Sequence, residues 1–342
     1  MTKNKETIIQ YLLKQIHLKN ADYIKKTMEN FDVASSTIYN YIAELESKNV
    51  IEKTNADFKY QLVSEKTYFE YSTSDLLEED RIFNKDISPL LSHLDSNVFE
   101  AWRYAFTEMM NNAIEHSSAQ NIYCRVVRND ILTEIAIVDD GIGIFRNIQN
   151  YIKATEGKEL ELSECVALLF AGKFTTASEA HSGEGIFFTS HLMDEFFIRS
   201  DDMIFARDNF RDRMGDSIIK PNIINARTVV CMSLYNKSLK TTEGVFYRFT
   251  DMEEGFFKTH IPVARMFVNG SPISRSEARR LGEMVKDFKE VCLDFANVEH
   301  VGQAFVNELF VVWAKRNPDK TIICENTSEK VENFIKRVCN TK

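Results

Sequence analysis

Residues 106–117 read FTEMMNNAIEHS, and they sit inside a run from Val98 to about His116 in which Trp102, Phe106, Met109 and Ala113 recur at helical spacing. The run predicts an amphipathic helix with one buried stripe. Glu108 and Asn112 fall four apart, on a shared face and about 6 Å from each other along the axis. An asparagine carbonyl is a hard oxygen ligand suited to Mg²⁺, and a carboxylate beside it can orient or deprotonate water or a hydroxyl. Taken alone, a solvated polar helix face explains the pair equally well.

Outward from this helix, strands are expected at 122–127 and 132–138, with Asn129 and Asp130 in the turn between them. The second strand runs into IVDDGIGI (137–144), where Asp139 closes an apolar run and Gly141 and Gly143 permit a sharp turn and a close approach of the backbone to a flat ligand. A carboxylate at that point accepts from the amino group of adenine and finds no donor on a guanine carbonyl. In HSGEGIFF (181–188), Ser182, Gly183, Glu184 and Gly185 precede a helical stretch whose free amides suit phosphate oxygens. About forty residues separate the two glycine turns, the length of a lid over a site. Within them AGKFTTAS carries Lys173, Thr175 and Thr176. Strands are also expected at 196–199, 204–207 and 228–235, the last opening on Thr228.

The order and spacing of these three boxes resemble the GHKL superfamily of ATPases and kinases over residues 96–236. The resemblance implies a Bergerat fold, a two-layer α/β sandwich whose mixed, mostly antiparallel sheet carries helices on one face, with ATP and Mg²⁺ as ligands. It assigns Glu108 as general base, Asn112 as Mg²⁺ ligand, Asp139 and Thr228 to adenine, and the turn at Gly183 and Gly185, with Lys173, to phosphates. The single-carboxylate helix is similar to the anti-sigma serine-kinase branch. The one upstream histidine, His93 in PLLSHLDSN, lacks a dimerising hairpin, which argues against histidine autophosphorylation.

Residues 1–63 look like a winged helix-turn-helix: three helical stripes, then strands around Asn55, Ala56 and Asp57 that include Phe58. The recognition segment SSTIYNYIAELES offers Ser36, Thr37, Tyr39 and Asn40 to duplex DNA. Nine lysines against eight carboxylates through residue 62 leave a net charge of about +1, and Glu44 and Glu46 would repel phosphates. A protein-docking or homodimerising role is the alternative. Residues 64–95, acidic and irregular, are expected to be a connector between this module and a nucleotide domain at 96–240.

The last segment, 245–342, starts a helix at the capping box Ser274 to Glu277 and continues into VCLDFANVEHVGQAFVNELFVVWA. It resembles STAS-like domains of unknown function, which implies a small α/β fold and either an intramolecular regulator or a docking site for a protein partner. Where STAS partners of anti-sigma kinases carry a phosphorylatable serine, this chain reads His300, Val301, Gly302, Gln303 and Ala304, without a hydroxyl.

The whole chain is α+β in expectation, with 342 residues and a formal net charge of -9, a balance unsuited to coating nucleic acid or anionic membrane. The opening MTKNKETIIQ lacks a secretory core, no apolar run reaches bilayer length, and Cys124, Cys165, Cys231, Cys292, Cys324 and Cys339 show no C-x-x-C spacing. A cytoplasmic chain with reduced thiols and no membrane role is expected. Functionally the reading is an ATPase-type switch coupled to the N-terminal module, with a serine/threonine kinase and a non-hydrolysing nucleotide-sensing regulator as alternatives.

Overall fold

The computed structural model of the protein describes residues 5–54, 59–75, 77–173, 183–206, 226–253, 255–267 and 270–340. Its first helices, α1 (Lys5–His17), α2 (Tyr23–Phe31) and α3 (Ser35–Ser47), follow the apolar stripes of the sequence. They close Ile8, Leu12, Ile16, Ile38, Ile42 and Leu45 into one core. Two short antiparallel strands, β1 (Ile51–Lys53) and β2 (Tyr60–Leu62), pair Ile51 with Leu62. The turn expected at Asn55, Ala56 and Asp57, and the strand residue Phe58, lie outside the described residues.

The expected connector at 64–95 is instead part of the body. β3 (Glu65–Ser72) pairs along its whole length with β4 (Asn121–Arg128) as the edge of the main sheet. Thr67, Phe69 and Tyr71 turn inward while Lys66, Tyr68 and Glu70 stay exposed, a period-2 alternation that the acidic residues downstream obscure. Next, α4 (Glu79–Ile82), a π turn at Phe83–Ile87 and α5 (Ser88–Leu91) bury Ile82, Phe83, Ile87 and Leu91 in the same core as α6 (Ser96–Asn111). The central unit therefore begins near residue 65 and not at 96.

Among the described residues six strands form that sheet in the order β3-β4-β5-β8-β6-β7, with β5 (Leu132–Asp139), β6 (Glu195–Ser200), β7 (Met203–Ala206) and β8 (Thr228–Tyr235). The described pairings in it are antiparallel, and parallel pairs occur in the C-terminal sheet. One face packs with α6, α7 (Ile144–Glu156), α8 (Leu162–Ala171) and α9 (Gly185–Leu192), α6 contributing Val98, Trp102, Phe106 and Met109 from a single stripe. The opposite face buries a smaller set that includes Val138, Phe197, Val229 and Cys231.

The two innermost strands span the molecule. In the β5–β8 ladder Leu132 lies opposite Tyr235 at one end and Asp139 opposite Thr228 at the other. The Leu132 end joins the core of the N-terminal helices, where Ile131, Leu132 and Tyr235 pack and Lys14 Nζ sits 4.5 Å from the Tyr235 ring centre.

After β8 come α10 (Thr242–Phe249), the short pair β9 (Thr250–Asp251) and β10 (Gly255–Phe256), and β11 (Lys258–Pro262) with α11 (Val263–Met266). α12 (Arg275–Met284) starts at the expected capping box, and β12 (Glu290–Asp294) follows. α13 (Gln303–Val306) runs through a π turn at Asn307–Trp313 into α14 (Ala314–Arg316), ahead of β13 (Thr321–Glu325) and α15 (Glu329–Asn340). β11, β12 and β13 form a parallel sheet in that order. The edge strand β11 and the last helix were not anticipated. Contacts that join this part to the central helices include a bond from Thr259 to the Ala171 carbonyl at 2.8 Å, an ion pair of Arg280 with Glu164 at 2.9 Å, and the stacking of Phe188 on Phe246 at 4.0 Å. Among the described residues no helix is long and apolar enough to cross a membrane.

Because Ile131 is buried between the N-terminal helices and the β4–β5 turn, Ile131→Ala is expected to weaken that junction by about 2–3 kcal/mol. Hydrogen exchange in α1 should accelerate more than tenfold while α6 keeps its protection. Equal protection of α1 in variant and wild type would show that the two units do not depend on this contact.

Candidate functional site

Helix α6 ends at Asn111 and passes into a π turn at Asn112–His116, a widened turn of the kind that recurs at functional sites. The loop after β5 docks against that widened end. Ile142 N–H donates to the Ser117 carbonyl at 2.9 Å, and the Asn147 amide of α7 donates to the His116 carbonyl at 2.9 Å. A Cβ on Gly141 would lie 2.1 Å from Ser117 O, so only glycine lets the loop seat there. The glycines of this turn were expected to admit a flat ligand; Gly141 instead serves the packing of the loop beneath the helix end, and neither it nor Gly143 lines the cavity described next.

That cavity, of about 290 Å³, lies between α6, the β5–β8 strands, α7, α8 and the start of α9. Such a volume is close to the lower end for small-molecule pockets, roughly 300–1,000 Å³. Ile137, Ile144, Ile148, Leu169, Ile198 and Val230 give it apolar walls. Asp139, Thr228, Glu108, Asn112, Gly183, Glu184 and Gly185 line it as well. Stretches at 108–117, 137–148, 169, 183–186, 198 and 228–230 thus meet at one space. Gly185 shows how closely: a Cβ there would fall 2.1 Å from Glu108 Oε2.

Asp139 is buried, its Oδ1 accepting from Gly141 N–H at 3.0 Å and its carboxylate from the Thr228 hydroxyl. A carboxylate has about four acceptor sites, so capacity remains for a ligand donor. Its neighbour Asp140 has another task, accepting from the backbone of Gln120 and Asn121 and from the Asn121 amide. Strand alternation separates the two aspartates, since only one of two neighbours can face the core side.

Lys173 is not at the cavity. Its ammonium, expected to meet phosphates, here donates to the Asp287 carbonyl at 3.1 Å and stands 4.5 Å from the Phe288 ring centre, in contact with the C-terminal part. A long lysine stem is drawn to an apolar aromatic surface while its head finds a carbonyl. Thr175, Thr176 and Ser182 lie outside the described residues. Asn147, Ser117 and Asn111 line the cavity without having been singled out as ligands, although Asn147 stands one helical turn beyond the quoted glycine box.

The described lining contains three carboxylates, Glu108, Asp139 and Glu184, and neither lysine nor arginine. An anionic ligand there needs a cation beside it, and the Asn112 amide carbonyl together with Glu108 is a hard oxygen set of the type that holds Mg²⁺. The chemistry of the donors therefore fits a magnesium nucleotide.

The family model that matches the chain is that of a STAS-like domain of unknown function (DUF4325), over residues 277–332. No curated protein matches.

Burial outweighs the bonds from Gly141 and Thr228 and pushes the Asp139 carboxyl up to about 6 from its usual 3.8. A shift of about two units corresponds to about 3 kcal/mol. The neutral acid's contribution to stability is complete below the unfolded value and is lost as pH rises through about 6. Asp139→Asn should therefore make the ligand-free protein more stable at pH 8 by about 1–3 kcal/mol in urea unfolding, with the gap closing toward pH 4. Equal stability at both pH values would mean that the carboxylate is solvated.

The matched segment runs from the first turn of α12 into α15, so the C-terminal part of this chain carries a STAS-like domain.

Proposed function

We propose that the protein is a Mg-ATP-binding regulator of the GHKL type, in which a Bergerat-like central domain switches the presentation of a winged-helix module and a STAS-like domain. The observation that carries this reading is the convergence of Glu108, Asn112, Asp139, Thr228 and the Gly183–Gly185 turn on one cavity that also has aliphatic walls. In this reading the apolar walls hold the adenine ring, and Asp139 accepts from its amino group with Thr228 keeping the carboxylate in place. Asn112 holds Mg²⁺, and the amides at the start of α9 meet phosphate oxygens. Magnesium would supply charge neutralisation between the phosphates and the three carboxylates. Glu108 orients water, or an acceptor hydroxyl, and takes its proton.

ATP with Mg²⁺ should bind the full chain, and GTP should bind at least about tenfold more weakly. Asp139→Asn and Asn112→Ala are expected to weaken ATP by about 10- to 100-fold in calorimetry, the range for losing a bond to a charged or metal-linked group. Glu108→Gln should keep affinity within about threefold and lower phosphate release by about 10²–10⁴-fold. Transfer of the γ-phosphate to a protein would move the assignment to a serine/threonine kinase, binding without turnover would make it a nucleotide sensor, and folded protein without ATP affinity would overturn the reading.

For the N-terminal module a specific observation favours duplex DNA. Ser36, Tyr39 and Asn40 are exposed on α3, while the two glutamates that threatened phosphate repulsion are paired within the module. Glu44 meets Lys5 at 2.6 Å and Lys48 at 2.8 Å, which hold its carboxyl down to about 2, and Glu46 meets Lys53 at 2.9 Å. Binding to DNA fragments at low salt is expected to drop at least about fivefold in the Tyr39→Ala/Asn40→Ala double variant. Undetectable binding by the folded wild type at 50 mM salt would leave this module a protein-docking role.

A further inference from the structure

The C-terminal sheet carries a polar cluster that the nucleotide reading does not use. β11, β12 and β13 run parallel and in register, His260 opposite Cys292, and Asp294 opposite Glu325. Residues two apart on a strand share a face, so imidazole, thiol and both carboxylates project to one side of the sheet. The ligand atoms of His260, Cys292 and Glu325 all lie within 4.8 Å of one another. The Cys292 thiol donates to the Glu325 carboxylate, and His260 Nε2 stands 3.8 Å from Glu325 Oε2 and 4.0 Å from Asp294 Oδ2. Asp294 Oδ1 is occupied by the Ala296 amide and the Asn326 side chain, each at 2.9 Å, which leaves Oδ2 as the oxygen toward the imidazole. Cys292 is buried and Glu325 is 40% exposed, so the cluster has a floor and an opening.

Thiolate, imidazole and carboxylate are the donors of zinc sites, whereas Mg²⁺ and Ca²⁺ select oxygen alone. Donors around tetrahedral Zn²⁺, with bonds of about 2.0–2.3 Å, stand about 3.5 Å apart, so a cluster no wider than 4.8 Å closes on an ion through small rotamer changes. We propose that His260, Cys292 and Glu325 bind a divalent ion of the zinc class, with Asp294 Oδ2 as the nearest fourth donor. On binding, the Cys292 S–H bond breaks, the sulfur lone pair forms the bond to the metal, and the proton passes to solvent without any change of oxidation state. The ion would clamp three strands beside the central body, since the His260 ring lies 5.9 Å from that of His191 on α9, the helix whose first turn lines the large cavity. The proposal is independent of the nucleotide reading.

Nucleotide-free, fully reduced full-length protein titrated with Co²⁺ is the test. One equivalent is expected to give thiolate-to-cobalt charge transfer in the near ultraviolet with tetrahedral d–d bands, both removed by Zn²⁺. The charge-transfer band diagnoses this site, because the described lining of the large cavity contains no sulfur donor other than the thioether of Met109. Cys292→Ser should abolish the band, Glu325→Gln should weaken binding more than about tenfold, and Cys324→Ser, at an exposed thiol, should leave both unchanged. Absence of the band in folded wild type, its survival in Cys292→Ser, or undiminished affinity in Glu325→Gln would overturn the proposal. Should Cys292→Ser fail to fold, the surface-accessible Glu325→Gln still decides it.

Discussion

The β5–β8 ladder is the constraint on which the rest of the molecule depends. Eight residues of each strand face one another, and the register sets Asp139 against Thr228 at one end and Leu132 against Tyr235 at the other. Both strands are buried almost throughout, so a slip of one residue would drive apolar side chains out of the core on one face and Asp139 away from the cavity. The same two strands therefore place the buried carboxylate and seat the N-terminal helices, separated by about 24 Å of extended chain. On the other side of the cavity, α8 and α9 supply Leu169 and Gly185 to its wall and meet the STAS-like domain through Ala171 and Phe188. Each flanking module thus rests on an element that also shapes the cavity.

Electrostatics imposes a second constraint. A carboxylate kept in an apolar pocket is a cost to the ligand-free fold, and the protein accepts it at Asp139. Glu108, Asp139 and Glu184 line the same space, and a cation held there would be attracted by all three. The C-terminal sheet follows a related pattern on a smaller scale. Its Val291 and Leu293 face is core, while the alternate positions gather His260, Cys292, Asp294 and Glu325 on the face toward α9.

Comparison of individual elements shows where linear patterns suffice. The α6 stripe, the Asn129 turn, the Thr228 strand and the Ser274 capping box were legible because each is a local rule with strong residue preferences. β3 was read as connector because its alternation is carried by Thr67, Phe69 and Tyr71 among charged neighbours, and an edge strand needs only one apolar face. β11 was overlooked since KTHIP is short, polar and ends in proline, features tolerated at the edge of a parallel sheet. Lys173 looked like a lid cation by position in the chain, yet the Phe256 and Phe288 rings and the Asp287 carbonyl draw it to the neighbouring domain.

By itself the sequence determined the three N-terminal helices, α6, α9, α12 and most strands of the main sheet, the residue types of the candidate site, and the STAS-like character of its C-terminal segment, because periodicity, capping and motif spacing are properties of neighbouring residues. Only the tertiary structure decided that Asp140 holds the Gln120 and Asn121 amides, that Gly185 makes room for Glu108, and that His260, Cys292 and Glu325 meet. These depend on strand order and register, which are set by how the buried faces of distant segments fit together, and no local rule encodes that fit.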